Sequence, residues 1–372
     1  MLTQESGDPA RAELDREVLR WMREPEWRRD DARFESLALR LFAHQFEHCA
    51  PYRRFCEGRG LTPRSLRGSD EIPAVPTGAF KEIALTSFPL ARARHCFRTS
   101  GTSVRARGAL HLDTLELYEA SLLPSFRRHV LPDLPEGGRA RIVVLAPSAD
   151  EVPDSSLSHM FAVVLRELGD AASGWFVRGG ELDADALLSA LDAACAAATP
   201  VAVCGTAFAF VHALDALSRR GRGLVLPRGS RALETGGFKG RSRVLTRDEL
   251  YGEIESRLGI PAARIVNQYG MTELGSQFYD SVLVDPGAPR RKLAPPWTRI
   301  RIVDPLSGEQ RQGGREGAIV VQDLANTGSV FAVQTADLGV ARGDGFELIG
   351  REPGAEERGC SIALDELLGG AT

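Results

Sequence analysis

An α/β architecture with a mainly parallel sheet is predicted for this chain by three features of its sequence. Short β-rich runs, "RIVVLAP" (141–147), "VAVC" (201–204), "GLVLP" (223–227) and "ARIVN" (263–267), alternate with helical stretches at 156–169, 183–198 and 206–219. Repeated strand–helix–strand units produce that alternation, and such units build parallel sheets covered by helices. Beyond residue 297 the texture changes. "TRIRIVD", "GAIVVQD", "SVFAVQTADLG" and "DGFELIG" are joined by glycine-rich turns, so a smaller antiparallel β layer is expected there. Finally, 372 residues with 43% hydrophobic and 26% charged side chains suffice for a full core in one large domain or two smaller ones.

The remaining elements follow from periodicity. Residues 11–49 read as packing helices, with Phe34, Leu37, Leu41 and Phe46 at near-helical spacing in the second. "IPAVPTGAFKE" (72–82) has two prolines and a glycine and reads as an extended crossing segment. The expected divisions are 1–70, 71–296, 297–349 and a short tail, 350–372. A net charge of −4 offers no basic field for nucleic acid or an anionic membrane. Cysteines 49, 56, 96, 195, 204 and 360 lack metal-binding or disulfide spacing, so reduced thiols in a cytoplasmic protein are expected. The charged N-terminus has no apolar stretch of the signal-peptide kind. The most apolar run, 201–214, is too short to span a bilayer.

Four segments carry residue types suited to chemistry. "FRTSGTSVRARG" (97–108) places Thr99, Ser100, Gly101, Thr102 and Ser103 together; hydroxyls and close backbone N–H groups suit a phosphate, and a solvated turn is the plainer reading. "NQYGMTE" (267–273) directly follows an expected strand, which sets Thr272 and Glu273 at the carboxyl edge of the sheet, where α/β proteins bind ligands. There Thr272 could donate to a phosphate oxygen and Glu273 could bind Mg²⁺, which takes few protein ligands. A helix N-terminus capped by Thr272 explains the same pair. In "ETGGFKG" (234–240), Gly236 and Gly237 would let a purine lie against the backbone, or simply make a tight turn. In "TADLG" (335–339), Asp337, read as lying in a turn, could hold the two hydroxyls of a ribose.

Taken in order, "TSGTS", "ETGG", "NQYGMTE", "TADLG" and "GR" (350–351) resemble the adenylate-forming enzymes, which join a carboxylate to AMP. The likeness is greatest to the acyl-protein synthetases of the bacterial luminescence fatty-acid reductase system, with phenylacetate–CoA ligases more distant. "VPTGAFKE" (75–82) and "GREPGAEERGCSIALDEL" (350–367) look like the same subgroup, and the resemblance runs from about residue 70 onward. It implies the adenylate-forming large-domain fold, with 71–296 as the nucleotide- and acyl-binding core, and it implies ATP and Mg²⁺. Ser100 to Ser103 match the loop on the β- and γ-phosphates. Gly236 and Gly237 match the adenine-side backbone and Tyr269 the aromatic at the base, and Asn267, Gln268, Gly270 and Met271 are implied in nucleotide binding. Thr272 matches the α-phosphate contact, Glu273 the Mg²⁺ ligand, Asp337 the ribose ligand and Arg351 the arginine near the hinge.

Two departures bear on mechanism. The phosphate loop reads "SGTSV" where many relatives carry a further glycine and a lysine, leaving Arg105 or Arg107 to supply charge. The sequence also ends about 20 residues after Arg351, so the usual C-terminal lid with its lysine is expected to be absent, and Lys81 and Lys239 are the candidates to replace it. In the resembling subgroup a cysteine near the C-terminus accepts the acyl group as a thioester and hands it to a reductase. Cys360, with Arg358 nearby to favour the thiolate, matches that position. The other five cysteines are expected to be buried small hydrophobes. His159 is a candidate for the carboxylate pocket, or a structural histidine. The expected activity is ATP-dependent activation of a carboxylic acid, with a fatty acid expected as the substrate, and transfer to Cys360, for delivery to an acyl-reductase partner. The alternatives are transfer to CoA, a carrier protein or an amine in secondary metabolism, and a non-catalytic nucleotide-binding scaffold subunit.

Overall fold

The structure, a computed structural model, describes residues 8–100, 107–219, 221, 223–236, 245–305, 307–351 and 367. The chain divides into two compact units. The first comprises Met1–Pro124, Met271–Gln277 and Leu293–Thr372, and the second Ser125–Gly270 and Phe278–Lys292.

In the second unit five parallel strands run side by side in the order Gly174–Trp175, Arg141–Leu145, Val201–Thr206, Arg231–Thr235 and Ile265–Tyr269. An antiparallel strand, Phe278–Asp280, pairs with the last, setting Gln268 opposite Tyr279. The helices are Ser156–Leu168, Ala184–Ala196, Ala207–Arg219 and Arg247–Leu258. Three start where the sequence supplies a cap. Ser155 accepts from Ser158 N, Asp183 from Ala186 N, and Thr246 forms a reciprocal capping box with Glu249. Phe210, Leu214 and Ile254 pack with Val143, Val203 and Ile265 in one core.

One strand differs from expectation. "GLVLP" (223–227) is not a strand: Leu226 is buried but Val225 is 79% exposed, and the segment is tied to the end of a helix by Leu226 N to Leu258 O. The strand is Arg231–Thr235, all five residues buried. Its two charges hid it. Arg231 is paired with Asp133 and hydrogen-bonded to the carbonyl oxygens of Val130 and Gly229, and Glu234 accepts hydrogen bonds from Asn267 and Tyr251.

The first unit opens with helices Pro9–Met22, Asp31–His48 and Ala50–Glu57. Asp8 and Asp30 cap the first two, and Phe34, Leu37, Ala38, Leu41 and Phe42 form the buried stripe of the second. Val75–Pro76 is a short strand leading into a 3₁₀ turn, Thr77–Lys81. Strands Thr298–Val303, Gly317–Asp323, Ala332–Arg342 and Gly345–Arg351 form an antiparallel meander, with Val75–Pro76 parallel to the third. The antiparallel layer anticipated beyond residue 297 is therefore present. A separate hairpin pairs His95–Arg98 with Ala109–Leu112. Among the described residues no helix is long and apolar enough to cross a membrane. Cys49, Cys56 and Cys204 are buried as expected, whereas Cys96 and Cys195 are half-exposed. Burial pushes the Cys56 thiol up to about 12, away from nucleophilic use.

Candidate functional site

The strand Ile265–Tyr269 ends at the carboxyl edge of its sheet, and residues 270–277 form the loop between it and Phe278–Asp280. No helix begins at Thr272, so the capping explanation of the Thr–Glu pair fails. Gly270 is the last residue of its segment in the second unit, and Met271 to Gln277 belong to the first.

Within the first unit this loop is held from beneath. A Cβ at Gly275 would stand 2.6 Å from the Ala325 Cβ, so only glycine lets the loop pack this closely. Asn326 donates through Nδ2 to Glu273 O at 3.0 Å, and Gln45 Nε2 donates to Asn326 O at 2.8 Å. Ser276 donates to Asp323 Oδ1 at 2.8 Å and accepts from Trp297 Nε1 at 3.1 Å. Gln45, Asn326, Asp323 and Trp297 position the loop, yet their distance from it in sequence hid them from motif reading.

Glu273 is 5% exposed, and burial pushes its carboxyl up to about 7. Its own backbone N–H, Lys81 and Arg351 pull the other way, and Asp337 adds to the rise. The sequence-quoted Lys81, Asp337 and Arg351 thus lie within electrostatic reach of Glu273. The hairpin base also approaches Glu273. A Cβ at Gly108 would stand 3.3 Å from Glu273 Oε1 and 3.2 Å from Thr99 Cγ2. Thr99 and Gly108 close that base, Thr99 N donating to Gly108 O and Gly108 N to Thr99 Oγ1, both at 2.9 Å. Arg107 Nε donates to Thr99 O at 2.6 Å, which ties this guanidinium to the hairpin backbone. Ser100 follows Thr99 at the root of the loop.

Asp337 does not sit in a turn, as "TADLG" suggests. It lies within the strand Ala332–Arg342, opposite Arg351, beside a register shift at Leu338/Gly339. A Cβ at Gly339 would meet Glu347 O and Ile319 Cδ1 at 2.9 Å, so glycine is required for that packing. Arg351 Nε donates to Asp337 Oδ1 at 3.0 Å; the arginine side chain is 70% exposed and the aspartate 12%.

Does this group suit a divalent ion? Mg²⁺ takes one or two carboxylates and completes its shell with water and phosphate oxygens. Glu273, whose burial disfavours the bare anion, offers one carboxylate that would suit such an ion.

In the second unit, Glu234 pairs with Asn267 and Thr235 with Gln268 across parallel strands, so the two sequence-quoted segments meet at one sheet edge. Thr235 Oγ1 donates to Gln268 O at 3.2 Å. Gly236 has φ +75°, the left-handed region that favours glycine. Tyr269 is buried and packs against Phe278 with ring centroids 6.2 Å apart. His159 is half-buried on the helix Ser156–Leu168. The neighbouring Met160 is the residue whose sulfur meets Gln268 Nε2 and Tyr279 Oη, both at 3.8 Å.

Behind that edge lies a network that sequence reading missed. Lys292, the third of the chain's three lysines, is 4% exposed. Its Nζ donates to Asn267 O and to Asp280 Oδ1, both at 2.8 Å, and also to Asn267 Oδ1. Asp280 Oδ2 accepts from Asn267 N at 3.0 Å and from Arg290. Asn267 Nδ2 and Tyr251 Oη both donate to Glu234 Oε1. Burial lowers the pKa of Lys292 and raises that of Glu234. The only advance signal was "RRKL" after a glycine–proline turn, which reads as a solvated surface. Gly101, Thr102, Ser103, Gly237, Lys239 and Cys360 lie outside the described residues.

Comparison with known proteins bears on the fold and the family. A 2-hydroxyisobutyryl-CoA ligase in the postadenylation state, in complex with 2-HIB-AMP, superposes with TM-score 0.62 at 15% identity, over 94% of this chain and 72% of that one. An open conformation of a 2-hydroxyisobutyryl-CoA ligase, in complex with 2-HIB-AMP and CoA, gives 0.60 at 14% identity, over 86% and 70%. At such identities the likeness shows the fold, which is that of the adenylate-forming enzymes. A long-chain-fatty-acid–luciferin-component ligase of Photorhabdus luminescens is 30% identical over 69 residues, 18% of this chain and 59% of that protein, so under two thirds of that relative's length is spanned. The family model described as acyl-protein synthetase, LuxE, matches residues 12–369, and the chain belongs to that family.

Proposed function

We propose that this protein uses ATP and Mg²⁺ to activate a fatty acid as its acyl-adenylate, and then moves the acyl group to the thiol of Cys360 for delivery to an acyl-reductase partner. One observation carries the reading. A buried carboxylate, Glu273, stands against the base of a Ser/Thr/Gly loop, with Lys81, Asp337 and Arg351 in electrostatic reach. In the first step a carboxylate oxygen of the acid attacks the α-phosphorus of ATP, and the bond to the β-phosphate oxygen breaks to release pyrophosphate. In the second, the Cys360 thiolate attacks the acyl carbonyl and AMP leaves.

This chain's residues would act by holding charge and position. Ser100 to Ser103 would hold the terminal phosphates and Thr272 the α-phosphate. Gly236 and Gly237 would face the adenine, with Asn267 to Met271 alongside. Asp337, kept in place by Arg351, would take the ribose hydroxyls. Glu273 would hold Mg²⁺, which supplies charge neutralisation on the phosphates when bound. Lys81 or Lys239 would place a cation near the leaving oxygen, and His159 would line the acyl side. Membership of the acyl-protein synthetase family favours a protein thiol over CoA, a carrier protein or an amine as acceptor.

The test is ATP–pyrophosphate exchange with a series of fatty acids, followed by mass spectrometry of the protein. Exchange that needs the acid but not CoA is expected, with a hydroxylamine-labile acyl group lost in Cys360→Ser. A label retained by that variant overturns the acceptor, and absence of exchange with every acid points instead to a non-catalytic nucleotide-binding subunit.

A further inference from the structure

We infer that the first unit contains a second cation site, for a zinc-class transition-metal ion, formed by Asp8, His44 and His48. These are the one group of three His, Cys, Asp or Glu side chains among the described residues whose donor atoms converge, all within 4.8 Å of one another. His44 and His48 stand four residues apart on Asp31–His48, so both rings leave the same helix face. Their centroids are 4.5 Å apart. Asp8 caps the neighbouring helix, Pro9–Met22, and divides its two oxygens. Oδ1 accepts from Ala10 N at 2.9 Å, while Oδ2 lies 3.0 Å from His44 Nδ1 and 3.2 Å from His48 Nε2.

Two features favour a shared ion over simple polar packing. Asp8 Oδ2 is buried and has no hydrogen-bond partner among the described residues, although two ring nitrogens stand within 3.2 Å. The nitrogens are close but misaligned for donation. Secondly, two donors each about 2.0–2.1 Å from one zinc ion stand roughly 2.9 Å apart at a right angle and roughly 3.3 Å apart at a tetrahedral angle. The two oxygen–nitrogen separations, 3.0 and 3.2 Å, fall between, and all three donor atoms lie within 4.8 Å of one another. His44 is 6% exposed, whereas the His48 side chain is 39% exposed, which leaves ion and solvent a way in.

Two imidazoles with one carboxylate suit zinc, nickel or copper and do not suit Mg²⁺ or Ca²⁺, which prefer all-oxygen shells. Local charge permits it. Arg11, the nearby cation, is engaged by Asp113 through two hydrogen bonds of 2.7 and 2.8 Å and also faces Asp15. The ion would brace the start of one helix to the last turn of the next.

The full chain, freed of metal with a chelator, should be titrated with ZnCl₂ by calorimetry and followed by thermal unfolding. One Zn²⁺ per chain and a zinc-dependent rise in Tm are expected, and Co²⁺ in its place should give a visible d–d absorption. Asp8→Ser keeps a capping oxygen and loses Oδ2. His48→Ala removes an exposed ligand. Each should weaken Zn²⁺ binding by more than the roughly 10–100-fold that follows loss of an outer-shell partner, with the metal-free Tm little changed. Absence of one-to-one binding overturns the site. So does unchanged affinity in both variants, which would place the ion elsewhere, for example on thiols.

Discussion

Two buried acidic groups at the ends of the same stretch of chain have opposite surroundings. Asp280, in the second unit, is met by the Lys292 ammonium, the Arg290 guanidinium and the Asn267 amide, so its charge is balanced on every side the network reaches. Glu273, in the first unit, is buried to a similar degree, yet burial outweighs its own backbone N–H, Lys81 and Arg351 and raises its carboxyl to about 7. A buried charge that is fully answered by protein groups holds structure in place; one left under-compensated is suited to a cation brought by a ligand. The contrast separates a strut from a site more sharply than burial alone.

The contrast breaks most visibly at Lys292. Lys292→Met leaves Asp280 buried with a missing partner and should cost about 3–5 kcal/mol in unfolding free energy, read by denaturant titration. Adding Asp280→Asn should recover part of that loss. A neutral Lys292→Met would mean the network is no strut.

Glu273→Gln should behave in the opposite way. Carboxylate-dependent exchange should fall by about 10²–10³-fold, the size of effect seen when one group that stabilises the transition state is removed. Stability without ligand should hold or improve, because the amide needs no counter-charge. Unchanged exchange would remove Glu273 from the metal and phosphate chemistry.

How far the sequence anticipates all this depends on the kind of signal. The parallel strands at 141, 201 and 265 are legible because buried strands read as β-branched runs between helices. Arg231–Thr235 is not, since the partners that hold its charged side chains, Asp133, Asn267 and Tyr251, lie far off in sequence. The loop around Glu273 is legible as a motif in company with three others. Its supports are not: Gln45, Asn326 and Asp323 come from other elements, and only tertiary packing brings them to it. Asp337 is found by its neighbours in sequence but misassigned to a turn, because aspartate and glycine are turn-formers and the bulge at Gly339 is a packing effect. Lys292 is missed because a lysine among arginines reads as surface.

The pH dependence of stability sharpens the comparison. The folded-state pKa of Glu273, about 7, lies above its ordinary 4.5, and burial also raises Asp323 to about 6 from 3.8. Between these values the folded chain binds more protons than the unfolded one, so stability is fully present at low pH and is lost as pH rises towards 7. For Glu273 the loss is bounded at about 3 kcal/mol, from 1.36 kcal/mol per pKa unit. Thermal melts of the ligand-free protein from pH 5 to 8 should show it, and Glu273→Gln should flatten the profile. A profile that the variant leaves unaltered would mean Glu273 ionises freely and burial has been overvalued.

The smallest effect is expected at Arg351, which shares features of both regions. It is paired with a buried acid, as Lys292 is, but its own side chain is 70% exposed. Solvent screens such a pair, and exposed ion pairs contribute about 0–1 kcal/mol. Arg351→Ala should therefore move Tm by no more than a few degrees, while raising the KM for ATP if Asp337 must be held for the ribose. Arg351→Lys keeps the charge but loses the planar Nε donor that reaches Asp337 Oδ1, so it should restore stability more than KM. A large fall in Tm with unchanged KM would reverse the assignment, making the Asp337–Arg351 pair a second strut and leaving Glu273 as the sole under-compensated acid of the group.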